Sequence, residues 1–199
     1  MQLPIPASPT TEERKQWWLL CYAVTSMEKA IESCRLIKMH CADNRQPLFE
    51  PLIVALHSYY SRPFGPNHGV GRLSEDFVPS ERIGIHRCLL HFRNSVLSHT
   101  DSRPSKEANR PMHDVVYSRK GDLREFSTSS PLPAIGAYYD FADHCSVMDI
   151  IFRTKILEFE KRYCHCLPMH NGDFLMTLDD SLDLFTPHTL PIQGTLHYS

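Results

Sequence analysis

Residues 85–101 have the sequence IHRCLLHFRNSVLSHTD, which combines a helical pattern with an arginine and a histidine near its end. Apolar side chains recur here at intervals of three and four, the period of a helix with one buried face. That face consists of Ile85, Leu89, Phe92 and Val96, widened by Leu90 and Leu97. We predict a helix over about 82–98, capped by Ser80 and ending near His99, because residues 101–104 are typical of a turn.

The arginine and the histidine of this stretch, Arg93 and His99, indicate phosphodiester chemistry. The guanidinium of Arg93 is always charged and matches the geometry of a phosphate group. The imidazole of His99 titrates near neutral pH and can transfer a proton. Asn94 is an uncharged donor and acceptor that can orient the phosphate or fix the tautomer of His99.

Three further helices are predicted from the same kind of pattern. The first covers about 11–41 with Thr11 as its cap, and the second covers about 47–61 with Pro47 in its first turn. The last covers about 134–166. The seam of the first helix consists of Leu20, Val24, Met27, Ile31 and Cys34. The stripe of the last helix consists of Phe141, Cys145, Met148, Phe152, Ile156, Phe159 and Tyr163.

The segments outside these helices are rich in turn residues. Residues 62–71 contain two prolines and three glycines and are predicted to be a loop. Residues 114–127 are predicted to form a small β-hairpin. Residues 167–199 are predicted to be a loosely structured C-terminal tail, with one short helix at about 173–185. The predicted fold is mainly α: an antiparallel helical bundle of about four main helices over residues 11–166, with the hairpin inserted.

The charges of the chain are unevenly placed, although the net charge is only −2. A total this close to zero gives no overall sign of nucleic-acid binding. Residues 82–124 nevertheless carry nine Lys and Arg against four Asp and Glu, and residues 138–185 carry the reverse. The basic part contains the Arg93–His99 pair, an arrangement that favours a polyanionic substrate. The alternative is an intramolecular fit between segments of opposite charge.

The composition indicates a soluble, cytoplasmic protein without a cofactor. The N-terminus has no basic start followed by an apolar core, and no run approaches the roughly 20 apolar residues that span a bilayer. Seven cysteines without a regular framework are typical of reduced thiols. The sequence Cys164-His165-Cys166 lacks the paired spacing of structural zinc, so no metal site is expected.

The R-N-x4-H-x-D pattern from Arg93 to Asp101 resembles the signature of the HEPN superfamily, small helical domains whose Arg and His often form a metal-independent ribonuclease site. The resemblance covers about residues 12–165 and is sharpest at the motif. Residues 59–64 leave a helix through an Arg-Pro-Phe step before a Gly-rich turn, which is similar to bacterial HEPN-like proteins of this size. The resemblance implies a helical bundle of the bacterial toxin or phage-defence (abortive) type.

For the function, the resemblance implies an endoribonuclease with Arg93, Asn94 and His99 as catalytic residues. RNA supplies its own 2′-hydroxyl nucleophile, so the enzyme needs a base, an acid and positive charge near the phosphate. One motif offers a single histidine, and the family supplies the second by dimerisation. The expected partners are a second copy of the chain, RNA, and an antitoxin or other regulatory protein. The expected substrate-binding residues are Asp101, His91, Tyr60 and Arg62.

Two observations support a different class of function. Six helical positions place Arg93 and His99 roughly 120° apart around the axis and about 9 Å along it, so the two do not stack on one ridge. The chain also lacks a strongly basic surface, since its net charge is only −2. In a purely structural interpretation, Arg93 and His99 simply pair with the last carbonyls of the helix, which favour cations. The alternative hypothesis is therefore a catalytically silent helical module that binds a partner protein or a nucleotide.

Overall fold

The computed structural model describes residues 7–93, 114–120, 123–129 and 136–187. Within these ranges the chain is mainly helical and forms a helical bundle with a small hairpin, which confirms the predicted fold class. The helices are α1 (Thr11–His40), α2 (Phe49–Ser61), α3 (Ile83–His91) and α4 (Ala137–Arg162). The strands are β1 (Asp114–Lys120), β2 (Leu123–Ser129), β3 (Phe174–Met176) and β4 (Phe185–Pro187).

Helix α1 is the central element, and α2 and α4 both pack against it. Its start is fixed by a capping box in which the Thr10 hydroxyl accepts from the backbone N–H of Glu13 and the Glu13 side chain bonds the N–H of Thr10. The prediction of Thr11 as the cap is therefore wrong by one residue. Four of the five predicted seam residues are buried, and Ile31 is half-buried.

Helix α4 carries the predicted apolar stripe toward α1. Phe141, Cys145, Met148 and Phe152 are buried, and the stripe continues through half-buried Ile156 and Phe159 to buried Tyr163. The helix is shorter than predicted at both ends. It begins at residue 137, and residues 164–166 form a separate 3₁₀ turn after it has ended.

Helix α2 begins after the predicted Pro47, which lies in the preceding turn. The chain leaves α2 through a 3₁₀ turn at residues 62–64 and then forms the predicted loop. Gly69 and Gly71 adopt φ of 85° and 84°, a region that residues with a Cβ rarely occupy. The N–H of Leu73 then bonds the carbonyl of Pro63 at 2.8 Å, which holds the returning chain beside the end of α2.

Helix α3 has only nine residues and follows a 3₁₀ turn at Ser80–Arg82. Ser80 belongs to that turn, and no side chain caps α3, so the predicted cap is wrong. Only His86 and Leu89 of α3 are buried, and the predicted face residues Ile85 and Phe92 are half-buried. The backbone continues with π-helical geometry through residues 92–93. The remainder of the helix predicted to residue 98 lies outside the described residues.

The two small sheets differ in how well the sequence predicted them. The hairpin is confirmed, since β1 and β2 pair antiparallel with Asp114 opposite Ser129 and Lys120 opposite Leu123. The short helix predicted at about 173–185 is wrong, because that segment contains β3 and the first residue of β4, and these two strands pair antiparallel.

The C-terminal segment up to residue 187 is packed against α1, contrary to the prediction of a loosely structured tail. The guanidinium of Arg14 is 1% exposed and donates to the carbonyls of Pro9, Thr177 and Asp179. The ring of Phe185 lies edge-on to Trp17, with 5.3 Å between the centroids. Residues 188–199 lie outside the described part.

None of the helices in the described ranges combines the length and the apolar character of a membrane span.

Candidate functional site

The predicted catalytic motif begins at Arg93, two residues after the end of α3. Arg93 is exposed and lies at the end of the π-helical segment, and His91 is exposed two residues earlier. Asn94, His99 and Asp101 lie outside the described residues, so the predicted separation of Arg93 and His99 is not tested.

The end of α3 is held by a buried histidine from α2. The Nδ1–H of His57 donates to the carbonyl of Leu89 at 3.1 Å, and the His57 ring lies 5.5 Å from the ring of Phe92. Burial lowers the pKa of His57 to about 4, so this imidazole is neutral at pH 7. The turn that carries Arg93 is thus fixed to α2 by a hydrogen bond and by ring packing.

The other two predicted substrate contacts have different environments. Arg62 is exposed, and its guanidinium lies 4.5 Å from the centre of the Tyr59 ring. The side chain of Tyr60 is completely buried and its hydroxyl is already bonded to two histidines, so Tyr60 is not a surface contact for RNA. The prediction for Tyr60 is corrected: its hydroxyl joins two histidines inside the bundle.

Tyr60, His86 and His144 form a buried polar network that connects α2, α3 and α4. The Tyr60 hydroxyl lies 2.7 Å from Nδ1 of His86 and 2.7 Å from Nε2 of His144. All three side chains are fully buried. Burial lowers the pKa of His144 to about 4 and lowers that of His86, and it raises the pKa of Tyr60 well above the ordinary value of 10. The network is therefore neutral at pH 7.

A carboxylate at the outer end of the network fixes the direction of its hydrogen bonds. Oε1 of Glu75 lies 3.6 Å from Nε2 of His86. A bare nitrogen lone pair facing this carboxylate would be repulsive, so we assign the proton of His86 to Nε2. Nδ1 of His86 then accepts from the Tyr60 hydroxyl, whose oxygen accepts from Nε2–H of His144.

Glu75 is held in place by the turn that carries it. Its residues 75–77 form a 3₁₀ turn, which begins with the Ser74 hydroxyl accepting from the N–H of Asp76. Oε2 of Glu75 lies 3.1 Å from the guanidinium of Arg87 on α3. A second ion pair, between Arg82 and Asp143 at 2.8 Å, joins the start of α3 to α4.

The outer end of the network opens into a cleft of about 530 Å³. The cleft is lined by Phe64, Arg72, Leu73, Ser74, Glu75, His86 and Leu90. Its volume lies within the range of small-molecule sites. Leu90 lies on α3 three residues before Arg93, so the cleft and the beginning of the motif share one helix.

A second cavity, of about 510 Å³, lies between the end of α1 and the start of α4. Its walls are mainly apolar, and its two cationic side chains already have partners. Arg35 is paired with Glu32, and Lys38 lies 5.1 Å from the centre of the Tyr139 ring. This cavity therefore offers less polar chemistry than the cleft at Glu75.

The described residues contain no cluster of three His, Cys, Asp or Glu side chains that could hold an ion. All seven cysteines are described and are free thiols. Burial raises the pKa of Cys21 to about 11 and of Cys34 to about 12, so these two thiols stay protonated at pH 7.

Sequence reasoning did not find the network or the cleft. Tyr60 is 26 residues from His86 and 84 residues from His144, and spacings of this size carry no local pattern. Glu75 lies in a segment without helical or strand periodicity. The tertiary fold alone brings these groups together.

The chain was compared with models of known protein families, with curated proteins and with solved structures, and no match was found.

Proposed function

We propose that the protein is a metal-independent endoribonuclease in which Arg93 and His99 form a composite site at a homodimer interface. The observation that carries the proposal is the R-N-x4-H-x-D motif, which begins at an exposed arginine where the third helix of a helical bundle emerges from its anchor on α2. A site carried on a fixed element keeps its geometry better than one on a loose loop.

Each residue is assigned the step that its charge, or its ability to transfer a proton, allows. The 2′-hydroxyl of RNA attacks the adjacent phosphorus, and the 5′-oxygen of the next nucleotide leaves. Arg93 stabilises the extra negative charge on the phosphate in the transition state. His99 of one protomer removes the proton from the 2′-hydroxyl, and His99 of the other protomer donates a proton to the leaving oxygen. Asn94 orients the phosphate.

Apolar surface near the motif supports the proposed dimer. Helix α3 buries only His86 and Leu89 fully, while its other apolar side chains are half-buried in the single chain. They are Ile83, Ile85, Cys88 and Leu90. A second copy of the chain would cover this surface and bring two motifs together across a two-fold axis. We expect light scattering to give the mass of a dimer at micromolar concentration.

The test is cleavage of RNA in the presence of EDTA. The wild-type protein should cleave with chelator present, and a 2′-deoxy substitution at the cleavage position should block the reaction because the nucleophile is gone. His99→Ala should abolish cleavage. His40→Ala is the matched control, since His40 is exposed at the end of α1 and far along the chain from the motif.

The composite nature of the site has a separate test. An excess of the His99→Ala protein should inhibit the wild type, because exchange of protomers produces mixed dimers with a single histidine. Full activity in such mixtures, or cleavage by His99→Ala at the wild-type rate, would contradict the proposal.

A second candidate is a catalytically silent module that binds a nucleotide, and the cleft beside Glu75 is the observation that favours it. Under this hypothesis Arg93→Ala has no turnover to remove. Multiple-turnover cleavage that disappears in Arg93→Ala would exclude it.

A further inference from the structure

The cleft between α3 and the residues 72–75 presents two fixed polar groups. His86 is among the residues that line the cleft, its side chain is fully buried, and its Nε2 has no hydrogen-bond partner in the described part of the chain. The carboxylate of Glu75 lies beside it, but 3.6 Å is beyond hydrogen-bond distance for this N–H. A buried donor of this kind is costly to leave unpaired and is satisfied when a ligand accepts from it.

The two groups together form a defined pattern of donor and acceptors. The Glu75 carboxylate facing Nε2 assigns the proton to that nitrogen, and the bond from the Tyr60 hydroxyl to Nδ1 is compatible with this tautomer, so Nε2 of His86 is a donor. Each oxygen of the Glu75 carboxylate can accept two hydrogen bonds, so the ion pair with Arg87 leaves acceptor capacity on both. A ligand that offers one acceptor followed by two donors along one edge matches this pattern.

Among the nucleobases, guanine has this edge. Its O6 is an acceptor, and N1–H and N2–H₂ are adjacent donors, whereas adenine offers a donor at N6 and an acceptor at N1. We propose that the cleft binds a guanine base, with His86 Nε2–H donating to O6 and the Glu75 carboxylate accepting from N1–H and N2–H.

The remaining walls of the cleft suit a nucleotide. Phe64 and Leu90 provide apolar surface for the flat base, and burial of a base face against such side chains is favourable for any nucleotide. Arg72 borders the cleft and has no ion-pair partner among the described residues. A guanidinium at the border of the cleft supplies the positive charge that a phosphate attached to the guanosine needs.

The cleft lies on the same helix as the catalytic arginine of the proposed function. Seven residues separate His86 from Arg93, which corresponds to about 10 Å along a helix. Placing the guanine within an RNA chain rests on the proposed function and predicts that cleavage occurs near guanosines. Binding of the base itself does not depend on catalysis.

The experiment is calorimetric titration of the full-length protein with GMP, IMP and AMP. We expect GMP to bind most tightly, IMP more weakly because it lacks the N2 amino group, and AMP at least about tenfold more weakly than GMP. Equal affinity for AMP and GMP, or no binding of GMP at millimolar concentration, would overturn the proposal.

Two substitutions in the Glu75–Arg87 ion pair distinguish a role in recognition of the base from a purely structural role. Glu75→Gln replaces an acceptor with an amide donor and should weaken GMP binding at least about tenfold. Arg87→Gln breaks the same ion pair but keeps the carboxylate, and its affinity for GMP should stay within about threefold of wild type. Circular dichroism checks that both variants fold. Unchanged GMP binding by folded Glu75→Gln would overturn the proposal.

A cleavage assay on oligonucleotides with a single G or a single A separates the two proposals. GMP binding without any RNA cleavage would support the cleft and contradict the proposed ribonuclease. Cleavage that shows no preference for guanosine, together with absent GMP binding, would support the ribonuclease and contradict the cleft.

Discussion

Helices α1 and α3 are held in the bundle by different forces. Helix α1 has 30 residues, a capping box and a long buried apolar face. Helix α3 has nine residues, no side-chain cap and one buried apolar side chain, Leu89. What replaces apolar burial in α3 is a set of buried polar contacts, from His57 to the Leu89 carbonyl and from Tyr60 to His86. The stability of α3 should therefore depend on hydrogen bonds and on protonation more than that of α1.

The largest effect on folding should come from breaking the polar network. Tyr60→Phe leaves Nδ1 of His86 and Nε2–H of His144 without their partner in a fully buried site. We expect the free energy of unfolding to fall by about 2–4 kcal/mol, since each unsatisfied buried group costs about 1–3 kcal/mol. Urea denaturation measures this, with Tyr139→Phe as the control because Tyr139 is exposed. A loss no larger than that of the control would contradict the role of the network.

The next effect concerns the pH dependence of stability. The pKa of His57 is about 4 in the folded protein and 6.5 as its ordinary value. The unfolded chain therefore binds the proton first as the pH falls, and stability decreases between about pH 6.5 and 4. His57 alone should account for a loss on the order of 2 kcal/mol from pH 7 to pH 5.

The variant His57→Phe isolates this contribution. The variant is less stable at pH 7 because it lacks the bond to Leu89, but its stability should change less between pH 7 and pH 5 than that of wild type. His40→Ala is the control and should keep the wild-type difference. Equal pH dependence of wild type and His57→Phe, measured by urea denaturation, would show that His57 does not titrate as the structure requires.

A smaller effect is expected at the cap of α1, where apolar burial carries most of the stability. Thr10→Ala removes the side-chain acceptor for the N–H of Glu13 and should cost about 1 kcal/mol. Thr11→Ala should cost less than Thr10→Ala, since the backbone N–H that donates to Asp180 is kept and the side-chain contact of Thr11 with the same carboxylate is exposed to solvent. The reverse order would place the cap at Thr11 after all.

The substitution Arg93→Ala should have the smallest effect on stability and a large effect on RNA cleavage. Arg93→Ala changes an exposed side chain and should alter the free energy of unfolding by less than about 1 kcal/mol. RNA cleavage should nevertheless fall at least about 100-fold, because the phosphate loses its cation in the transition state. A loss of activity that is matched by unfolding would assign Arg93 a structural role instead.

The parts of the fold that the sequence predicted are those with a long local pattern. The apolar positions of α1 and α4 repeat over many turns, and the hairpin has two β-type segments with a short turn between them. The strands β3 and β4 have three residues each, which is too short for a period to be read. Their position depends on contacts with Arg14, more than 160 residues away.

The same distinction applies to the candidate sites. The motif from Arg93 to Asp101 is contiguous, so its residue types and spacing can be recognised in the sequence. The network of Tyr60, His86 and His144 is assembled from three helices. Tyr60 was predicted to contact RNA, and its burial could not be predicted, because a tyrosine at the end of a helix is compatible with either surface or core.

The buried guanidinium of Arg14 has a consequence for the order in which the chain folds. A chain emerges from the ribosome from its N-terminus, and early elements generally fold first. Two of the three carbonyls that bind Arg14 belong to Thr177 and Asp179, so they are synthesised more than 160 residues later. Until then α1 carries a charge that has only the Pro9 carbonyl as its partner, and its start must remain accessible to water. Of the four described helices, α1 is made before the others and is thus among the last to be completed.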